Sequence, residues 1–195
     1  MAHKIYHTDG FILSSLTWGE ANRMLIIFTE QLGVISVLAQ GVRESRSKMR
    51  HHLYQWTPLK LSLVRGREMW RLIGVEVLGS PPSVKVRPIL IRIGRLLKRL
   101  LPEQASSLEV FNLIKSGVPF LNLLVKQAPT ESKLAAGELL LVLRLLTSLG
   151  YLPKLEILPK FVWANDWDQV ELGELLNCRQ EAITLINDAL SASQL

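Results

Sequence analysis

The densest concentration of chemistry-bearing side chains is the stretch Gly41–His52, GVRESRSKMRHH. It holds Arg43, Arg46, Lys48 and Arg50 with two serines, and only Glu44 opposes them. Clustered guanidinium, ammonium and hydroxyl donors suit backbone phosphates, which position a nucleic acid without reading its sequence. The plainer alternative is a solvated loop. Arg23, Arg65, Arg67 and Arg71 add four further cations nearby in sequence. Trp18, Tyr54, Trp56 and Trp70 supply aromatic faces on which unpaired bases can stack. A tryptophan in a small domain more commonly serves core or rim packing. Tyr54 and Trp56, which flank the end of the basic stretch, are the aromatics assigned to base stacking.

No constellation for catalysis accompanies these residues. The serines lack the glycine frame of a nucleophile elbow, and no glycine-rich phosphate cradle occurs. His3 and His7 would share a strand face and His51 and His52 are adjacent, yet no acid or thiolate stands at ligand spacing from them. Asp166 and Asp168, with Asn165 and Trp167, are too few for a cation site and read as a loop. Cys178 is the single cysteine, which excludes an intrachain disulfide and a paired-thiolate zinc site and suits a reducing cytoplasm. The expectation is a binding protein without catalytic residues, metal or cofactor.

Charge is distributed unevenly. Residues 1–87 carry twelve lysines and arginines against six acids, whereas the remainder is balanced at eleven of each. All of the excess of +6 therefore lies in the first part of the chain. A polyanion partner is the simplest physical reason, since phosphate binding releases condensed counterions. The N-terminus, MAHKIYHTDG, is too polar for a secretory signal. Apolar runs such as Leu139–Leu143 fall short of a bilayer span, so a soluble intracellular protein is expected.

Short strands with turn signals must position the basic residues. Gly10–Leu16 reads as the first strand, followed by a turn at Thr17-Trp18-Gly19. Arg23–Thr29 and Val34–Gln40 form a hairpin around Glu30–Gly33. In Leu59–Val64 the leucines at 59, 61 and 63 face inward while Lys60 and Ser62 face out. Arg65-Gly66-Arg67 turns the chain into a fifth strand, Met69–Leu78, on which Met69 and Arg71 share one face and Trp70 takes the other. Five strands without a long intervening helix suggest a small closed barrel. An oligonucleotide-binding (OB) barrel has this strand count, and a Greek-key or SH3-like barrel fits the same pattern.

Gly79-Ser80-Pro81-Pro82-Ser83 marks the domain boundary. Residues 1–80 are expected as the barrel, 81–87 as a linker and 88–195 as a helical domain. Pro88 opens a helix over Ile89–Leu101, with Arg92, Arg95 and Arg99 on one stripe. Ser106 and Glu109 form a capping-box pattern for the next helix, which Gly117–Pro119 should kink or break. Thr130 caps a third helix through Leu149, with Gly150 as its stop. Asn177 and Gln180 open a last helix over Cys178–Ala192.

Several of these segments, taken in order, resemble the RecO family of bacterial recombination mediators. The likeness begins at Asp9–Leu13 and sharpens at Trp18-Gly19-Glu20-Ala21-Asn22-Arg23. It continues through Phe28-Thr29-Glu30-Gln31-Leu32-Gly33, Ala39-Gln40-Gly41-Val42-Arg43 and Thr57-Pro58. In the helical half it rests on Leu143–Pro153, LRLLTSLGYLP. The resemblance implies an OB-fold that binds single- and double-stranded DNA, anneals complementary strands, and helps load the recombinase onto strands coated by single-stranded DNA-binding protein. It implies RecR as a partner and a bacterial, nucleoid-associated location in the cytoplasm. It also implies that the helical domain holds the acidic tail of the single-stranded DNA-binding protein, for which Arg92, Arg95, Lys98 and Arg99 are the chosen residues; a solvated face is the alternative. Many relatives carry a four-cysteine zinc module after the Gly-Tyr-x-Pro segment. Here Leu155–Leu158 has no cysteine, so zinc is not expected. Two other classes compete with this reading: a protein–protein adaptor whose barrel holds no nucleic acid, and an RNA-binding OB protein.

Overall fold

A computed structural model describes residues 4–102, 104–127, 130–153, 156–164, 166–167 and 172–192. The expectations that involve His3, Leu155, Asn165 and Asp168 lie outside the described residues. The chain divides into two compact units, Met1–Pro82 with Leu101–Phe111, and Ser83–Leu100 with Asn112–Leu195.

The first unit is built on five strands: β1 (Ile5–Trp18), β2 (Asn22–Thr29), β3 (Gly33–Ala39), β4 (Pro58–Arg65) and β5 (Trp70–Val77). They close into a barrel in the order β1-β2-β3-β5-β4, and the architecture is an OB-fold. All neighbours are antiparallel except β3 and β5, which pair in parallel through only Val37↔Trp70 and Leu38↔Arg71. Period-two alternation fills the interior with Leu25, Ile27, Ile35, Val37, Leu59, Leu61, Leu63, Trp70 and Leu72. β1 runs from Ile5 through Thr17 and Trp18, which were expected to turn. The turn falls at residues 19–21 instead, where Gly19 supplies the left-handed backbone with φ 62°. A register shift between Ile12 and Ser14 lets this 14-residue strand bend from β4 to β2.

The span between β3 and β4 is more than a polar loop. Val42, Leu53 and Trp56 are buried within it and Met49, on a 3-10 turn over Lys48–His51, packs against the barrel core. Residues 101–111 belong to the same unit: Phe111 is buried with its ring 5.6 Å from those of both Phe11 and Phe28.

The second unit is helical: α1 (Arg87–Leu100), most of α2 (Leu108–Gln127), α3 (Glu131–Ser148), α4 (Leu172–Asn177) and α5 (Arg179–Ala192). Ser107, not Ser106, accepts the N-terminal amide bond of α2, from Val110 at 3.4 Å. α2 also continues through Gly117–Pro119 without a break. Pro119 is exposed, so the backbone bond it deletes lies on the outer side of the helix, and Gly117 keeps the inner side clear for the Leu141 and Trp167 side chains. By length and composition alone α2 could cross a bilayer, a test that the core helix of a soluble protein also passes; here it buries Ile114, Val118, Phe120 and Leu121. Thr130 caps α3 by accepting from the Lys133 amide, and Gly150 ends it at φ 79°, both as expected.

At the centre of this unit Arg144 is only 3% exposed. One Nη donates to the carbonyls of Phe161 and Asp166, each at 2.7 Å, and the guanidinium lies 4.2 Å from the Trp167 ring centroid. Burial pulls its pKa down to about 10, against a partial upward pull from Asp166.

Candidate nucleic-acid interface

The tight turn between β4 and β5 is fixed by the Gly66 amide, which donates to the Met69 carbonyl at 3.0 Å. A Cβ at Gly66 would collide with that carbonyl, so glycine is required by close approach. The turn projects Arg65 and Arg67 beside Arg71 of β5. Together with Leu38, Gln40, Val64, Glu68, Met69 and Ile73 they line an open groove of about 830 Å³ on the outside of the barrel. Three guanidinium groups face one carboxylate in it. Arg65 also stacks over the edge of the core, its guanidinium carbon 5.0 Å from the Trp70 ring centroid. Such a groove can hold an anionic chain through Arg–phosphate contacts while Leu38, Met69 and Ile73 meet its apolar parts.

The structure therefore brings together Arg65, Arg67 and Arg71 and sets the other assigned residues apart. Arg43, Arg46, Lys48, Arg50 and Tyr54 do not line the groove. Arg43 is exposed, but its Nη1 donates to the carbonyls of Gly19 at 3.0 Å and Glu20 at 2.7 Å. Its own amide donates to the Ala21 carbonyl, and the Gly41 amide donates to Asn22 Oδ1, both at 2.9 Å. Arg43 thus holds the β1–β2 turn. Arg46 pairs with Glu44 at 2.9 Å. Lys48 and Arg50 are exposed on the 3-10 turn, and Tyr54 is exposed after it. Arg23 pairs with Thr17 and Ala39, which puts it on the inward-facing side of β2 at the rim of the barrel, half-buried.

Trp56 is corrected outright. It is 1% exposed, its ring 6.5 Å from that of Phe11, so neither face is open to a base. Its backbone sits at φ 61°, held by an amide bond to the Ile12 carbonyl at 3.0 Å. An aromatic residue adopts that conformation only where its surroundings enforce it. Trp18, passed over in favour of Trp56, is 52% exposed. The groove residues Leu38, Gln40 and Ile73 were also missed. Strand alternation in VISVLAQ, which puts Ser36, Leu38 and Gln40 on the outer side, carried the signal for two of them.

In the helical unit, α1 buries Ile89, Leu90, Ile93, Leu97 and Leu100 and exposes Arg92, Arg95, Lys98 and Arg99. Arg92 forms a two-pronged pair with Glu138 of α3, Nε–Oε1 2.5 Å and Nη2–Oε2 2.6 Å. The hydrogen bond to Glu138 raises its pKa. Arg92 therefore joins two helices, and Arg95, Lys98 and Arg99 remain as the exposed basic row. Among the described residues no group of three or more histidines, cysteines or acids is placed to hold a metal ion.

Residues 1–81 match the family model described as recombination protein O N terminal. The chain is 31% identical over 163 residues to a DNA repair protein RecO of a Roseiflexus species, covering 80% of this chain and 53% of that protein. It is 27% identical over 161 residues to the RecO of Heliobacterium modesticaldum, covering 79% and 55%. Over 81 residues it is 33% identical to the RecO of Gloeothece citriformis, covering 42% of this chain and 29% of the relative. The chain thus spans less than two thirds of the length of these relatives.

Proposed function

We propose that this chain, which belongs to the RecO family, is a DNA-binding protein of DNA repair and homologous recombination. The observation that carries the reading is the groove lined by Arg65, Arg67 and Arg71 on an OB barrel whose residues 1–82 carry ten lysines and arginines against six acids. OB barrels receive oligonucleotides on the face of strands 2 and 3 and on the loops after strands 1 and 4. The β4–β5 turn is one of those loops, and Leu38 and Gln40 extend the groove onto the strand face.

In this reading the barrel grips the phosphates of single- and double-stranded DNA, and Lys48, Arg50 and Tyr54 extend the contact beyond the groove. Lowering the charge repulsion between two strands speeds their annealing. The helical unit, through Arg95, Lys98 and Arg99, meets the acidic tail of single-stranded DNA-binding protein, which brings the chain to coated strands where a recombinase must load. RecR is the further partner that family membership suggests. The reading involves no catalytic step, and it places the protein at the bacterial nucleoid.

The test is binding of labelled oligonucleotides across a salt series. The intact chain should bind both forms, with log K falling linearly against log salt. Replacing Arg65, Arg67 and Arg71 together by serine should flatten that slope by about 2 for single strands, since each neutralised phosphate contributes about 0.7. An unchanged slope removes the groove from the interface. Absence of binding at low salt in the intact chain supports the adaptor alternative, and tighter binding of RNA than DNA supports the RNA alternative.

A further inference from the structure

The β1–β2 hairpin carries an exposed apolar row that the barrel core does not use. Leu16 and Trp18 lie two residues apart on one face of β1 and are 67% and 52% exposed. Leu16 pairs with Met24, Met24 with Leu38, and Leu38 with Arg71. The outer face of the barrel therefore runs without interruption from Trp18, through Leu16, Met24 and Leu38, into the arginine groove. Three strand-to-strand steps of about 4.8 Å make this path roughly 14 Å from Leu16 to Arg71, room for a few nucleotides. The apolar end is held in place: Arg43 bridges the carbonyls of Gly19 and Glu20, and the amides of Arg43 and Gly41 bond to Ala21 and Asn22.

We infer that Trp18, on the hairpin tip held by Arg43, is a base-stacking platform for single-stranded DNA whose phosphates lie in the Arg65–Arg67–Arg71 groove. The inference rests on the DNA-binding reading above and deepens it. Charge complementarity fixes the occupant: an apolar path that ends among three arginines suits a chain with flat apolar faces and a regular anionic backbone. An unpaired strand offers both at once, whereas a duplex keeps its base faces stacked inside. Trp18 thus confers a preference for single strands, while the arginines serve both forms. Arg43 is a positioning residue, and its charge is not counted among the phosphate contacts.

The experiment compares W18A, W18F and R43Q with the intact chain, using a labelled oligo(dT) and a blunt duplex of equal length at low salt. W18A should bind oligo(dT) about 5- to 100-fold more weakly, from the typical contribution of one stacked base, and the duplex within twofold of the intact chain. W18F, which keeps an aromatic face, should retain most of the affinity. Trp18 is the most exposed tryptophan among the described residues, so oligo(dT) should quench the emission of the intact chain and much less that of W18F. R43Q should weaken oligo(dT) with an unchanged salt slope; a slope lower by about 0.7 makes Arg43 a phosphate contact and overturns its positioning role. W18A binding oligo(dT) like the intact chain, with the arginine triple variant impaired, overturns the stacking platform and leaves the DNA reading standing. Full affinity in both variants overturns the platform and removes the groove from the interface, and absence of binding by the intact chain overturns the DNA reading itself.

Discussion

Gly33 tests whether residues 101–111 are integral to the barrel. It opens β3 at φ 66°, in a turn where Thr29 Oγ1 donates to its carbonyl at 2.9 Å and accepts from the Leu32 amide at 3.0 Å. A Cβ at this position would run into the backbone carbonyl and amide of Ala105. Gly19 has nearly the same conformation, φ 62°, with nothing near its missing Cβ. Gly19→Ala should therefore cost only the left-handed backbone, about 1–2 kcal/mol. Gly33→Ala adds overpacking against main chain that no rotamer change relieves, about 1–3 kcal/mol more. With a urea slope of about 2 kcal/mol per molar, the midpoint should fall by roughly 0.5–1 M for G19A and 1–2.5 M for G33A. Gly33→Asn separates the terms, because asparagine tolerates the left-handed region yet keeps the collision. The assay is urea unfolding followed by tryptophan emission, with hydrogen exchange at the Gln104 amide, which donates to the Val34 carbonyl at 3.4 Å. Equal midpoints for G33A and G19A, with Gln104 exchange unchanged, would refute the contact.

The same segment supplies Phe111, and Phe111→Ala should cost about 3–5 kcal/mol by emptying the space against Phe11 and Phe28, while Leu123→Ala on the exposed side of α2 should cost under about 0.5. A loss below about 1 kcal/mol for F111A in urea unfolding contradicts that packing. Cys178 bonds to the carbonyls of Glu174 and Leu175, and burial, with lesser pushes from Glu181 and Glu174, drives its thiol pKa up. A raised pKa leaves less thiolate at a given pH, so iodoacetamide should label Cys178 more slowly than glutathione at pH 8, the gap closing as pH rises. Mass-spectrometric labelling rates that match glutathione at pH 8 contradict the assignment.

Strand alternation made the barrel legible. Leu59, Leu61 and Leu63 announce an inner face by spacing alone, and all three are buried. Turn residues with restricted conformations, Gly33 and Gly150, were equally plain. What escaped depends on contacts far apart in the chain. Trp56 looks like any tryptophan beside a basic loop until Phe11 and Ile12 enclose it. Arg43 looks like its neighbours Arg46 and Arg50, and only the return of the chain past residues 19–21 turns it into a brace. The basic stretch drew attention by density, but the groove is assembled from arginines that a turn and a strand bring together. Arg144 sits in an apolar helical run that gives no hint of its two carbonyl partners. Pro119 broke a rule of thumb because the bond it removes faces outward.

The parallel seam between β3 and β5 has a consequence beyond ligand binding. A barrel normally leaves no strand edge open to another molecule, yet this one joins at only two paired positions. Beyond them β3 and β5 share no further ladder pair, although the Val34 carbonyl of β3 is taken by the Gln104 amide, and unpaired strand main chain is the usual beginning of aggregation. Arg65, Arg67 and Arg71 surround that seam, and charge beside an open edge is how β proteins discourage such pairing. The arginines proposed to hold DNA thus double as guards of the weakest join in the sheet. Replacing all three removes that charge, and an oligomeric state unchanged from the intact chain becomes a necessary control for any affinity measured with the triple variant.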